Sequence, residues 1–127
     1  MREDAGQKGR RTPTFQLREG DGEWSTEPAN HLTFKALLDS SEYAGAISAT
    51  KVSIQGKHLE LVTRSHVRIY ILISGHLTFS IENESGIELK LGSLLTLASG
   101  TRYSLEGDGE YFVINAPAFK ESDDEYI

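Results

Sequence analysis

The sequence predicts a small all-β protein folded as a single antiparallel barrel. From about Phe15 onward, strand-length stretches alternate apolar and polar residues or are rich in β-branched and aromatic residues. Glycine and small polar residues separate these stretches at a spacing of roughly ten residues. No stretch is both long and periodic enough to predict a helix, which argues against α/β folds built on crossover helices.

The predicted strands share high β-propensity. They cover residues 32–38, 46–54, 58–62, 67–73, 77–81, 87–91 and 110–114. Within residues 77–81, Leu77, Phe79 and Ile81 alternate with small hydroxyl residues, which places the apolar side chains on one sheet face. Residues 32–38 fit a short helix as well as a strand. The predicted total is about eight to ten strands.

Clusters of glycine and small polar residues mark the predicted turns. They lie at residues 74–75, 83–86, 99–100 and 107–109. Glycine adopts positive φ at little cost, so these clusters suit tight turns. We therefore expect hairpins at these positions.

The length of 127 residues suits one core. We expect a flexible N-terminal arm over residues 1–14, one barrel domain over residues 15–119 and a solvated acidic tail over residues 120–127. The first residues lack the apolar segment of a signal peptide, and no stretch reaches transmembrane length.

Charge and cysteine content narrow the classes of partner. The formal net charge of −6 opposes binding to nucleic acid and to anionic membranes. The sequence contains no cysteine, which excludes disulfides, thiolate catalysis and zinc–thiolate sites. These features make nucleic acid and membranes poor candidates for a partner and favour a cytoplasmic protein.

The spacing of glycines between residues 56 and 117 resembles the two short motifs of the cupin superfamily. Gly56 and Gly75 occupy both glycine places of the first motif, and Gly92, Ala98 and Gly100 match or nearly match the second. The resemblance implies an antiparallel double-stranded β-helix, or jelly-roll barrel. It also implies a homodimer, because cupins commonly dimerise.

The same register implies that the metal ligands of the family are missing. Val62, Arg64, Arg68 and Tyr103 stand in the places of the two histidines, the glutamate and the last histidine. A slip of one residue in the first motif would substitute Leu61 and Thr63 for the first two, and neither restores a ligand. We therefore expect no metal and no cofactor. The sequence has four histidines, His31, His58, His66 and His76, which leave open a metal site at a different place.

Arginine in place of a metal suggests an anion site. If Arg64 and Arg68 face the barrel interior, their guanidinium groups would pair with carboxylate or phosphate, and Tyr103 would donate a hydrogen bond or act in acid–base chemistry. His66 lies two residues from Arg68, hence on the same strand face. The candidate catalytic residues are Arg68, Tyr103 and His66, and the candidate ligand-binding residues are Val62, Arg64, Arg68, Tyr70 and Tyr103.

Structural roles compete with these assignments. An arginine near a strand end often reaches solvent or pairs with a surface carboxylate, and buried tyrosines are often wall residues. Trp24 fits a cap on the barrel or an interface.

Three functions follow from the sequence. The first is metal-independent binding of a small anionic or enolisable ligand, extending to an isomerase, epimerase, cyclase or lyase of secondary metabolism or sugar modification. The second is a non-catalytic ligand-sensing or dimerisation module. The third, a residual metal-dependent enzyme such as a dioxygenase, needs ligands that the motif positions lack.

Overall fold

The computed structural model describes residues 14–18 and 23–127, so the predicted arm lies outside the described residues except for its last residue. Nine strands form in this part of the chain. They are β1 (Ser25–Glu27), β2 (Leu32–Leu38), β3 (Ser48–Lys57), β4 (Leu61–Thr63), β5 (Val67–Ile81), β6 (Glu84–Leu89), β7 (Leu94–Ala98), β8 (Arg102–Ala116) and β9 (Asp124–Tyr126). Short 3-10 turns lie at Pro28–Asn30, Tyr43–Gly45 and Glu121–Asp123. Among the described residues, no helix is long and apolar enough to span a membrane.

Two long strands, β5 and β8, connect the two halves of the barrel. They pair antiparallel from Val67↔Ala116 to Ile81↔Tyr103. The first half of β5 and the second half of β8 lie in one sheet with β7 on one side and with β3, β2 and β1 on the other. The second half of β5 and the first half of β8 lie in the other sheet. There β6 pairs with β5, β4 pairs with β8, and β9 pairs with the free side of β4. The predicted all-β jelly roll is confirmed, and residues 32–38 form a strand rather than a helix.

The turns predicted at residues 74–75 and 107–109 are wrong, because both glycine clusters lie inside the long strands. Gly75 pairs with Gly109, and Gly107 pairs with Leu77, where β5 and β8 pass from one sheet to the other. A Cβ atom at Gly75 would lie 2.1 Å from the carbonyl oxygen of Asp108. The glycines therefore permit a close backbone approach instead of a reversal. The turn at residues 99–100 is present, while Gly86 lies within β6.

The acidic C-terminal segment, residues 120–127, is not a solvated tail. Strand β9 pairs with the edge of β4, in the register Leu61↔Tyr126 and Thr63↔Asp124. The prediction of a free tail is wrong because the acidic residues of β9 find arginine partners on the barrel. Asp124 pairs with Arg68, and Glu125 pairs with Arg64.

The apolar core lies inside the barrel, between the two sheets. Its residues alternate along their strands with more exposed ones, as the period of two requires. The members with least exposure are Ile54, Leu61, Leu77, Phe79, Tyr103, Leu105 and Tyr111. Leu77 and Phe79 have no exposed surface, which agrees with the alternation seen in the sequence. Part of the core, which includes Tyr70 and Tyr111, also lines a pocket.

The close approach at Gly75 predicts a large cost for even a single methyl group. Gly75→Ala combines positive φ with a clash against the backbone of β8, whereas Gly92→Ala has positive φ but nothing within 4 Å of the added atom. We expect Gly92→Ala to lower the unfolding free energy by about 1 kcal/mol. Gly75→Ala should lower it by about 3 kcal/mol or more, because overpacking adds to the cost of φ. Urea unfolding measures both, and equal losses would contradict the close crossing of β5 and β8.

Candidate functional site

A pocket of about 760 Å³ opens over the inner face of the larger sheet. Strands β1, β2, β3, β5 and β8 form its walls, and the C-terminal segment covers one side. Most of the lining is apolar, with side chains such as Leu32, Phe34 and Val113. A volume of this size is typical of small-molecule sites, which place a few polar groups in an apolar cavity.

Arg68 supplies the buried cation of this pocket. Its side chain projects inward from β5, because Arg68, Tyr70 and Leu72 alternate with outward residues of that strand. Only 3% of the residue is exposed. The ring of Phe119 lies 5.7 Å from the guanidinium carbon and shields it further. A charge held this far from water requires compensation.

Three partners from different parts of the chain compensate Arg68. Its Nε donates to Asn115 Oδ1 at 2.7 Å, its Nη1 to Tyr103 Oη at 2.8 Å and its Nη2 to Asp124 Oδ1 at 2.7 Å. Burial alone lowers the pKa of Arg68, but the neighbouring Tyr103, Tyr70 and Asp124 outweigh it and raise that pKa. The arginine is therefore charged at every pH of interest.

Two tyrosines extend the network into the barrel. Tyr70 Oη and Tyr103 Oη lie 2.6 Å apart and share a hydrogen bond. Burial raises the pKa of both phenols, although the Arg68 charge opposes the increase. Both tyrosines are therefore protonated at neutral pH, and one of the two hydroxyls donates to the other.

Some of the site residues predicted from the sequence lie at the pocket, and others point away from it. The structure brings Arg68, Tyr70 and Tyr103 into one hydrogen-bonded network, and two of these, Arg68 and Tyr70, line the pocket. Arg64 instead points outward, with half of its side chain exposed and Nη2 at 2.6 Å from Glu125 Oε1. This placement corrects the expectation that two arginines face the interior.

Val62 and His66 also lie outside the pocket. Val62 stands on β4, a strand that contributes no pocket-lining residue, and pairs with Arg102 and Glu125. His66 is exposed in the bend between β4 and β5, so it does not share the inward face of Arg68. The expectation for His66 is wrong because strand β5 begins only at Val67, and the two-residue periodicity does not extend back to His66.

His58 is the pocket residue that sequence reasoning left unassigned. It is buried, lines the pocket and stacks on Tyr126 with ring centroids 6.0 Å apart. Its Nδ1 lies 2.8 Å from the carbonyl oxygen of Leu59, which can only accept, so Nδ1 carries the proton and Nε2 is the basic nitrogen. Burial lowers the pKa of His58, while the Leu59 hydrogen bond and the carboxylates of Glu27 and Asp124 oppose the decrease.

The loop before β4 is held in place by Asn30. Its Oδ1 accepts a hydrogen bond from the backbone of Leu59, and its Nδ2 donates to Glu27 and to Tyr126 Oη. Asn30 therefore connects β1, the His58 loop and β9 around the mouth of the pocket. No sequence motif indicates this connection, since its members lie far apart along the chain.

The pocket residues do not fit the divalent metal that many barrels of this type hold. A guanidinium and a phenol occupy two of the four motif places, and Arg64 and Val62 do not face the pocket. Within residues 14–18 and 23–127, no group of three or more histidine, aspartate or glutamate side chains is arranged to hold a metal ion. Guanidinium has no lone pair for a metal, so Arg68 and its partners fill this space instead.

Comparisons with solved structures identify the architecture. Pac13, a nucleoside dehydratase from Streptomyces, matches with a TM-score of 0.73 and 20% identity over 90% of this chain and 92% of that one. The polyketide cyclase RemF from Streptomyces resistomycificus matches with a TM-score of 0.74 and 11% identity over 91% and 86%. An RmlC-like cupin with a double-stranded β-helix from Methanocaldococcus jannaschii matches with a TM-score of 0.59 and 15% identity over 77% and 92%.

These likenesses show the fold alone, because all three identities are low. Structures of Pac13 with bound uridine also match this chain, at about the same identity. No family model matches the sequence, and no curated protein matches it.

The buried ion pair predicts strong coupling between Arg68 and Asp124. In a double-mutant cycle with Arg68→Met and Asp124→Asn, we expect a coupling energy of about 2 kcal/mol, because each single change leaves a buried partner unpaired. The exposed pair Arg64–Glu125, whose carboxylate lies next to Asp124 on β9, is the matched control, and its coupling should stay below about 1 kcal/mol. Urea unfolding of both cycles provides the measurement. Equal coupling in the two cycles would contradict the buried network.

Proposed function

Since the chain has the cupin fold, we propose that it is a metal-independent protein that binds a small enolisable ligand and transfers protons on it. The observation that supports this proposal is that a neutral histidine, His58, and a buried cation, Arg68, line the same apolar pocket. The sequence analysis also allows an anionic ligand in place of an enolisable one. The polar groups that His58 and Arg68 provide suit proton abstraction next to a carbonyl.

The proposed step begins at His58. Its Nε2 takes a proton from a carbon adjacent to the ligand carbonyl, and the electron pair of the broken C–H bond moves onto the carbonyl oxygen. The lowered pKa of His58 keeps it unprotonated at neutral pH and available as a base. The Arg68 charge and the Tyr70 hydroxyl stabilise the developing negative oxygen.

The fate of the enolate determines the reaction class. Return of the proton to a different atom gives isomerisation, and its return to the opposite face of the same carbon gives epimerisation. Loss of a neighbouring leaving group gives a lyase, and attack on a second carbonyl gives cyclisation. Two of the similar structures are named a nucleoside dehydratase and a polyketide cyclase. Both of those reaction types involve proton transfer, which supports this class of chemistry for the pocket.

The test is exchange of carbon-bound hydrogen in D₂O, followed by NMR, with dihydroxyacetone, methyl acetoacetate and acetylacetone as probes. We expect the protein to accelerate exchange of at least one probe, and His58→Gln to reduce that rate by about 100-fold or more. His66→Gln is the matched control, because His66 is exposed and outside the pocket, and its rate should equal that of the wild type.

Two results would contradict the proposal. One is equal loss of exchange in both histidine variants, and the other is no acceleration of any probe by the wild type. Binding of probes without exchange would instead favour the ligand-sensing alternative. Thermal unfolding of His58→Gln shows whether the variant remains folded.

The alternative of a dimerisation module has its own observation. The outward side chains of β5 lie beside outward apolar side chains of β7 and β8. Ile71, for example, pairs with both Leu94 and Phe112. Together these side chains form an outer apolar face whose members are Val67, Ile69, Ile71, Ile73, Leu94, Phe112 and Ile114. We propose a second copy of the chain as its occupant, because one patch in a two-fold dimer covers itself and leaves no apolar surface unpaired.

The outer apolar face predicts a dimer that one charge disrupts. We expect light scattering to give twice the chain mass for the wild type, and the mass of a single chain for Leu94→Asp. Leu91→Asp is the matched control, because Leu91 is equally exposed but lies in the turn before β7, outside the face. A wild type with the mass of one chain would contradict the dimer.

A further inference from the structure

The charges around the pocket are predominantly negative. Its lining among the described residues contains three carboxylates, Glu27, Glu121 and Asp124, and one guanidinium, Arg68. Of these, Asp124 and Arg68 pair with each other at 2.7 Å. Two carboxylates are then left with no lysine or arginine to balance them in the described lining.

The Arg68 charge is not freely available to a ligand. Three of the five N–H donors of the guanidinium are directed at Asn115, Tyr103 and Asp124. An incoming anion would have to compete with the Asp124 carboxylate for the same cation. The two remaining donors can still bond a carbonyl oxygen, which is neutral when the ligand binds and gains charge only as the proton is removed.

Glu27 is the carboxylate best placed to make the electrostatic potential of the pocket negative. It stands at the end of β1, and Asn30 Nδ2 donates to its Oε1 at 3.1 Å, which orients the side chain. Its charge acts on three pocket groups, His58, Tyr111 and Tyr126. Glu121, in the C-terminal segment, lines the same pocket.

We propose that this pocket selects an uncharged, hydroxyl-bearing ligand and rejects its phosphorylated or carboxylated counterpart, with Glu27 and Glu121 as the residues that determine specificity. The inference rests on the proposed function and specifies its substrate class. Carboxylates accept hydrogen bonds from hydroxyl groups and repel phosphate or carboxylate, so the same two residues perform both tasks. The apolar lining strengthens both effects because it screens charge poorly.

The potential can be measured without any ligand through the ring of His58. NMR titration should give a lower pKa for His58 in Glu27→Gln than in the wild type, because the carboxylate of Glu27 favours the protonated ring. Glu88→Gln is the control, since Glu88 is exposed and pairs with Lys90 on the outside, and it should leave the His58 pKa unchanged. An unchanged pKa in Glu27→Gln would overturn the assignment of Glu27.

Selectivity is then tested with matched probes that differ by one phosphate. The pairs are uridine with uridine 5′-monophosphate, and dihydroxyacetone with dihydroxyacetone phosphate, with affinities from NMR shifts of pocket residues. We expect the neutral member of a pair to bind at least about tenfold more tightly, which corresponds to roughly 1.4 kcal/mol. The double variant Glu27→Gln/Glu121→Gln should bring this ratio close to one.

The outcomes separate this inference from the function on which it rests. Equal or tighter binding of the phosphorylated members by the wild type overturns the charge selection, while hydrogen exchange dependent on His58 would still support the proposed function. A ratio that the double variant leaves unchanged overturns the assignment of Glu27 and Glu121. If neither member of either pair shifts the pocket residues at millimolar concentration, the inference is overturned, while hydrogen exchange with the other probes still decides the proposed function.

Discussion

A buried guanidinium that must be compensated is the constraint on which the rest of this structure depends. Arg68 faces the pocket inside the barrel with 3% of its surface exposed, and an isolated charge there would be strongly destabilising. Its partners Tyr103 and Asn115 come from both ends of β8, and Asp124 comes from the C-terminal segment. The network therefore brings together three parts of the chain, and it explains why an acidic terminus folds onto the barrel.

The same constraint shapes the pocket. The space that a metal would need is filled by a cation that belongs to the protein, and this cation already has a carboxylate partner. The groups that remain for chemistry are a neutral histidine and buried phenols, in a pocket whose lining carries an excess of negative charge. Such a site suits proton transfer on a neutral molecule better than metal-dependent oxidation or capture of an anion. The function we propose follows from the way in which the fold compensates Arg68.

Much of the fold was predictable from local pattern, and the site was predictable only in part. Alternation of side chains places Leu77 and Phe79 in the core, and motif spacing brings Arg68 and Tyr103 to neighbouring positions. Glycine clusters could not distinguish a turn from a close crossing, because both require a residue without a side chain. Asp124 and His58 were missed because strand pairing and loop anchoring over long distances bring them to the pocket, and one sequence carries no local signal of either.

The most direct test of this account is the side-chain ¹⁵N–¹H NMR spectrum of Arg68. Three directed hydrogen bonds should hold the guanidinium rigid, so its Nη groups should give separate signals and its Nε proton should exchange slowly with water. Arg64 and Arg102 provide internal comparison, because both are about half exposed. We predict that only Arg68 of these three shows separate, protected signals. Averaged Nη signals and rapid exchange, as for the two exposed arginines, would contradict the central network.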